Sequence, residues 1–187
     1  RRLRTNIITF NAALGACSRG ASWAAVVALL LQLGLGDIKP DAITYNAAIS
    51  ACARGEKWAY ALNIRQQMSF AQVEPDLITY NATISACEKV SRWEEALCVL
   101  AELSLSDLVP DTVAYSAAIS ACGSAGHWEQ ALALMDGLRS VAGYGSSVMA
   151  NTAMIIACSD AKHWLGAVGL LEELLEHTME PDVVAFG

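Results

Sequence analysis

The chain has 187 residues, 55% of them apolar and only 7% aromatic, with a net charge of −7. On length that is one domain, and the alanine-rich mixture favours helices packed closely through small side chains. The acidic balance excludes the uniformly basic footprint of many nucleic-acid binders. The apolar, uncharged stretch Ala21 to Gly36 has sixteen residues, short of the ~20 that a membrane span needs, and reads as a buried helix.

The charge is divided. Residues 1–93 hold ten Lys/Arg against six Asp/Glu, a balance of +4, and residues 94–187 hold two against thirteen, a balance of −11. The first half suits phosphate; any nucleic-acid contact in the second would lean on bases rather than on counterion release.

Periodicity is the main signal. Trp stands at 23, 58, 93, 128 and 164, and Cys at 17, 52, 87, 122 and 158, both in steps of 35, 35, 35 and 36. Pro-Asp recurs at 40–41, 75–76, 110–111 and 181–182. In chain order, residues 1–6 read as the end of a preceding unit. Five units follow, at 7–41, 42–76, 77–111, 112–147 and 148–182, and 183–187 read as the opening of a truncated sixth. The fourth unit is one residue longer, and the extra residue is placed in the loop RSVAGYGSS.

Each unit is predicted to be two helices. The first begins after Pro-Asp, where Asp is a good N-cap and Pro blocks continuation from before, and runs to about the Cys. A turn such as RGEK (54–57) or SAGH (124–127) follows. The second starts near the Trp and ends near Met68, Leu103 or Leu138. One hairpin cannot bury its apolar faces alone; stacked neighbours do so. The fold class is therefore all-α, a solenoid of stacked helix-turn-helix repeats.

The 35-residue period, the Thr-Tyr-Asn near the start of the first helix and the terminal Pro-Asp resemble the pentatricopeptide repeat over residues 7–182. Trp at the start of the second helix, where the family more often has Leu, and the abundance of Ala depart from its pattern. The resemblance implies a right-handed superhelix that reads single-stranded RNA, one nucleotide per repeat. It pairs Asn11 with Asp41, Asn46 with Asp76, Asn81 with Asp111, Ser116 with Ser147, and Thr152 with Asp182 as base selectors. It assigns base packing to Ile8, Ile43, Ile78, Val113 and Met149, and phosphate contact to Arg19, Arg54 and Lys89. Ser124 and Asp160 occupy that last slot in the later units and do not fit it. The implied preference is U-rich: U-U-U, an undefined fourth base, then G.

Structural readings stand beside these. The aspartates are fully explained as N-caps, a role that does not exclude a second one. Asn is a mediocre helix former, so its recurrence in the first helix favours ligand contact. The five periodic cysteines read as buried small residues rather than metal ligands or disulfides, since neighbouring helices lie ~8–10 Å apart and no C-x-x-C occurs; Cys98 is expected in the core too. The tryptophans are expected to pack between hairpins. Glu172, Glu173, Glu176 and Glu180 read as a solvated face. No cofactor, small-molecule substrate, membrane contact or catalytic constellation is expected in this segment. The alternative function is a protein-interaction scaffold without RNA affinity. The opening RRLRTN shows no secretory or transit pattern; a plastid or mitochondrial role in RNA processing or stabilisation is implied by the family alone.

Overall fold

The computed structural model describes residues 7–19, 22–34, 39–142, 148–160, 168, 169 and 172. Among them every regular element is an α-helix. They are α1 (Ile7–Arg19), α2 (Trp23–Gly34), α3 (Ala42–Arg54), α4 (Trp58–Phe70), α5 (Leu77–Glu88), α6 (Trp93–Leu105), α7 (Thr112–Ser124), α8 (Trp128–Ala142) and α9 (Val148–Asp160). The chain divides into two units, Arg1–Pro110 and Asp111–Gly187. Residues 1–6, 183–187 and nearly all of the expected tenth helix lie outside the described residues.

The helix starts follow from local chemistry. Asp41, Asp76 and Asp111 hold extended backbone at the N-caps of α3, α5 and α7, each accepting from the N–H three residues on. These bonds satisfy donors that the helix itself leaves open. In α3 and α5 the cap is reciprocal: Thr44 and Thr79 hydroxyls accept from the N–H of Asp41 and Asp76. The second helices start at the Trp residues without a side-chain cap at Lys57 or Arg92.

The turn inside the second, third and fourth hairpins also repeats. Lys57, Arg92 and His127 N–H groups donate back to the carbonyls of Cys52, Cys87 and Cys122, at 2.9, 3.0 and 2.9 Å. Closing that ring puts the preceding residue in the left-handed region: Glu56 at φ 57°, Ser91 at 54° and Gly126 at 81°. Only glycine adopts it without steric cost. The second helices run past the expected ends, α4 to Phe70, α6 to Leu105 and α8 to Ala142; Phe70 and Leu105 are each 88% exposed, so these last turns continue beyond the core that the apolar pattern traces.

In the first unit α1 packs on α3 and α3 on α5, while α2 and α4 each touch their own partner and the first helix of the next hairpin. Leu14, Val26, Leu33, Ile49, Met68, Ile84 and Leu103 are fully buried there, each stabilising the fold by about 1.5–3 kcal/mol. Ala48, Ala51, Cys52, Ala86 and Cys87, with no exposed surface, let the first helices approach closely. The second unit repeats the arrangement, with α7 packed on α8 and α9 around Ile119, Met135 and Met154.

Trp23 and Trp58 stand at the seam between hairpins and are half-buried. The Trp23 ring lies 5.4 Å from the Tyr60 ring, and the Lys57 ammonium lies over it. Its indole also occupies the space a side chain at Gly55 would need: a Cβ there would meet Trp23 Cδ1 at 2.6 Å. Arg92 covers Trp58 at 4.5 Å. Cys98 departs from expectation: it faces solvent on α6, its thiol 3.8 Å from Glu102 Oε1, because it lies outside the register that buries the other cysteines. Arg65 is a basic residue used inside the fold, nearly buried over the Tyr80 ring and paired with Glu102.

Candidate functional site

The N-capping aspartates of α3 and α5 each reach one hairpin back. Asn11 on α1 donates its amide Nδ2–H to Asp41 Oδ1 and Oδ2, at 3.2 and 3.4 Å. Asn46 on α3 donates in the same way to Asp76, at 3.0 and 3.2 Å. The structure thus brings Asn11 against Asp41 and Asn46 against Asp76.

A third residue completes each cluster. The Thr44 hydroxyl lies 2.7 Å from both Asn11 Oδ1 and Asp41 Oδ1 and shares its proton between them. Thr79 stands likewise 2.6 Å from Asn46 Oδ1 and 2.8 Å from Asp76 Oδ1. Both threonines are fully buried. Sequence reasoning missed this role; the available signal was Thr three residues after each of the two capping aspartates. Burial opposes the charge on Asp41, but bonds from the Thr44 hydroxyl and N–H and from Asn11 outweigh it and hold the carboxyl below its ordinary value. At Asp76 burial is likewise outweighed by Thr79 and Asn46.

The asparagines remain half-exposed, beside apolar side chains that a core would normally cover. Ile8, Ile43 and Ile78 are 72, 66 and 63% exposed, and Val113 in the second unit is 58% exposed. Each lies three residues before its selector position, on one face of the first helix. Arg54 and Lys89 are exposed at the far ends of α3 and α5.

The second unit is different. Asp111 caps α7 through the Ala114 N–H at 2.9 Å, and Ala114 has no hydroxyl to return. Ser116, in the place of the asparagines, is 5% exposed and donates its hydroxyl to the Thr112 carbonyl at 2.6 Å. Thr152 is exposed on α9, with Ala150 at the position of Thr44 and Thr79. Ser147, Asp182 and the side chains of Arg19 and Met149 lie outside the described residues.

Cys52, Cys87, Cys122 and Cys158 are buried with free thiols. Burial pushes the first three up to about 11 and raises Cys158, which suits packing rather than nucleophilic chemistry. Among the described residues no group of three or more His, Cys, Asp or Glu could hold a metal ion, and no helix is long and apolar enough to cross a membrane.

Paired helices in register, with a polar cluster and an exposed apolar side chain at the head of successive first helices, define a helical-repeat protein. The pentatricopeptide repeat domain model matches residues 29–90, and the PPR repeat model matches 78–107 and 113–140. The chain belongs to the pentatricopeptide-repeat family. No curated protein matches it in sequence.

Among solved structures it is similar to the pentatricopeptide repeat protein PPR10 from maize, at 25% identity and a TM-score of 0.75, over 97% of this chain and 26% of that one. PPR10 in complex with an 18-nt psaJ RNA element matches at 22% identity and a TM-score of 0.74, over 95% of this chain and 26% of that one. The PPR domain of Arabidopsis thaliana protein-only RNase P 1, in complex with tRNA, matches at 14% identity and a TM-score of 0.77, over 96% of this chain and 94% of that domain. The chain thus spans about a quarter of the length of the maize protein.

Proposed function

We propose that the chain binds single-stranded RNA sequence-selectively, one nucleotide per repeat, with repeats at 7–41, 42–76, 77–111, 112–147 and 148–182. The observation that carries this reading is the half-exposed Asn amide, braced from behind by Asp and flanked by an exposed isoleucine, at Asn11 and again at Asn46. An amide has two N–H donors and an oxygen with two lone pairs. One N–H is given to Asp and one lone pair to Thr, leaving a second N–H donor and a second lone pair on the amide. Uracil offers the complement, a carbonyl oxygen beside N3–H. Ile8 and Ile43 supply apolar surface for the base faces, and Arg54 and Lys89 supply charge for phosphates.

Asn81 with Asp111 repeats the same pair in sequence, so three consecutive uridines are the expected core of the target. The RNA complexes of the similar folds agree with this reading, as does the family's link to plastid or mitochondrial transcripts, where processing or stabilisation is the proposed role. The acidic second half favours a second reading, a scaffold for a protein partner.

Binding of a fluorescent U-rich strand, compared with an A-rich strand over a salt series, separates them. Selective U-rich binding with a shallow salt slope is expected. Absence of binding to both strands at low salt would discard the RNA reading for this segment and leave the scaffold.

A further inference from the structure

We propose that Thr44 and Thr79 are positioning residues that fix the polarity of the Asn11 and Asn46 amides, and so let each repeat tell uracil from cytosine. The inference rests on the RNA reading above and adds to it residues outside the Asn/Asp pairs and outside the repeat whose base they affect.

The two ends of an Asn amide have nearly the same shape and opposite hydrogen-bonding character. The same is true of the two pyrimidines at the relevant edge. Uracil presents an acceptor at position 4 and a donor at position 3; cytosine presents a donor at 4 and an acceptor at 3. For a base held in one register, an amide in one orientation matches uracil, and the same amide turned over matches cytosine. Discrimination therefore depends on how strongly the turned amide is disfavoured, and this is set by the groups behind it.

Two groups act there. Asp76 only accepts, so it fixes the nitrogen end of Asn46 at 3.0 Å. Thr79 donates to the oxygen end at 2.6 Å, sharing that proton with Asp76 Oδ1 at 2.8 Å. Turning the amide would set Oδ1 against the carboxylate, and would replace the hydroxyl's donation to Oδ1 by a bond from Nδ2 to a hydroxyl oxygen that already accepts from the Asp76 N–H. The threonine is itself held: its hydroxyl accepts from the Asp76 N–H at 3.2 Å, its N–H donates to Asp76 Oδ1 at 2.8 Å, and its side chain is fully buried. Asn11, Asp41 and Thr44 repeat every one of these contacts. The hydroxyl comes from the first helix of the following hairpin, so each base would be read by a pair of neighbouring repeats. Without the hydroxyl the amide keeps its aspartate but loses the donor that holds its oxygen end.

The test uses the whole chain with Thr79→Val, Thr79→Ser and Asn46→Ala, alone and with the last combined with Thr79→Val. Thr79→Ala serves as a second hydroxyl-free variant, because Ala114 occupies the same place in α7 fully buried. Two readouts are taken. One is the exchange rate and separation of the two Asn46 side-chain amide protons by NMR in the free protein. The other is the ratio of affinities for two RNAs that differ by U or C opposite this repeat.

Removal of the hydroxyl is expected to speed amide exchange and to lower the U-over-C ratio about three- to tenfold, the size of one hydrogen bond. Thr79→Ser should restore both, and Thr79→Val should change nothing further once Asn46 is alanine. An unchanged amide, or an unchanged ratio despite a loosened amide, overturns the proposal. If the unaltered chain does not separate U from C while the hydroxyl still governs the amide, the RNA reading fails and the selection role falls with it.

Discussion

The two units have equivalent core positions and differ at the heads of their first helices. Ile49, Ile84 and Ile119 are equivalent and all fully buried, and the Cys residues beside them keep the same place. At the helix heads the first unit carries Asn, Asp and Thr bound into clusters around Asn11 and Asn46. The second carries Ser116 turned onto its own helix, with Ala114 and Ala150 in place of threonine. The period that builds the solenoid and the residues proposed to read RNA can therefore vary separately. The net charge changes across the same region, from +4 over residues 1–93 to −11 over 94–187.

The largest effect should not distinguish the units. Ile84→Ala and Ile119→Ala should each cost about 2–5 kcal/mol in urea unfolding, since both empty a fully buried site. A much smaller loss for Ile119→Ala would mean that the cores differ as well as the helix heads.

RNA affinity should separate the units sharply. Asn46→Ala should weaken binding to a U-rich strand about tenfold or more, as loss of a two-point base contact does. Ser116→Ala should change it less than about twofold, because that side chain is nearly buried and its hydroxyl donates to the Thr112 carbonyl. Comparable losses from both substitutions, measured by fluorescence anisotropy, would contradict the contrast.

The caps come next. Asp76→Ala should cost about 1–2 kcal/mol, and Asp111→Ala about 0.5–1 kcal/mol, since Asp76 caps through a reciprocal box with Thr79 while Ala114, at the equivalent position of α7, has no hydroxyl to close one. The carboxyls of Asp41 and Asp76 sit below their ordinary 3.8 in the folded chain. Their contribution is present above that value and is lost as pH falls through the lowered folded value. Asp76→Asn should flatten the loss of stability below pH ~4 in acid titrations followed by circular dichroism.

The smallest change concerns the turns. Glu56→Gly and Ser91→Gly should each stabilise by about 0.5–1 kcal/mol, because both residues hold left-handed backbone. Gly126→Ala, in the second unit's turn, should lose a similar amount in thermal melts.

Much of this was legible in the residues. Spacing placed the helical hairpins and the capping aspartates, because a repeat that is one structural unit returns each residue to the same environment; the pairing of Asn with Asp came from the family resemblance. Cys98 was misplaced because its apolar character says nothing of register, and it faces solvent on α6. The tryptophans were assigned to the hairpin contacts, yet Trp23 and Trp58 also lie beneath Lys57 and Arg92, cations from the following hairpin.

The amino-acid sequence by itself determined the period, the helical class and the identity of the polar residues heading each first helix. These follow from local rules: which residues cap, which turn and which recur on one face. Only the tertiary structure decided that Thr44 and Thr79 close onto asparagines of the preceding hairpin while Ser116 turns back on its own helix. A hydroxyl's partner is set by what lies within about 3 Å of it; Thr44 and Asn11 are 33 residues apart in sequence, and packing of α3 on α1 makes them neighbours.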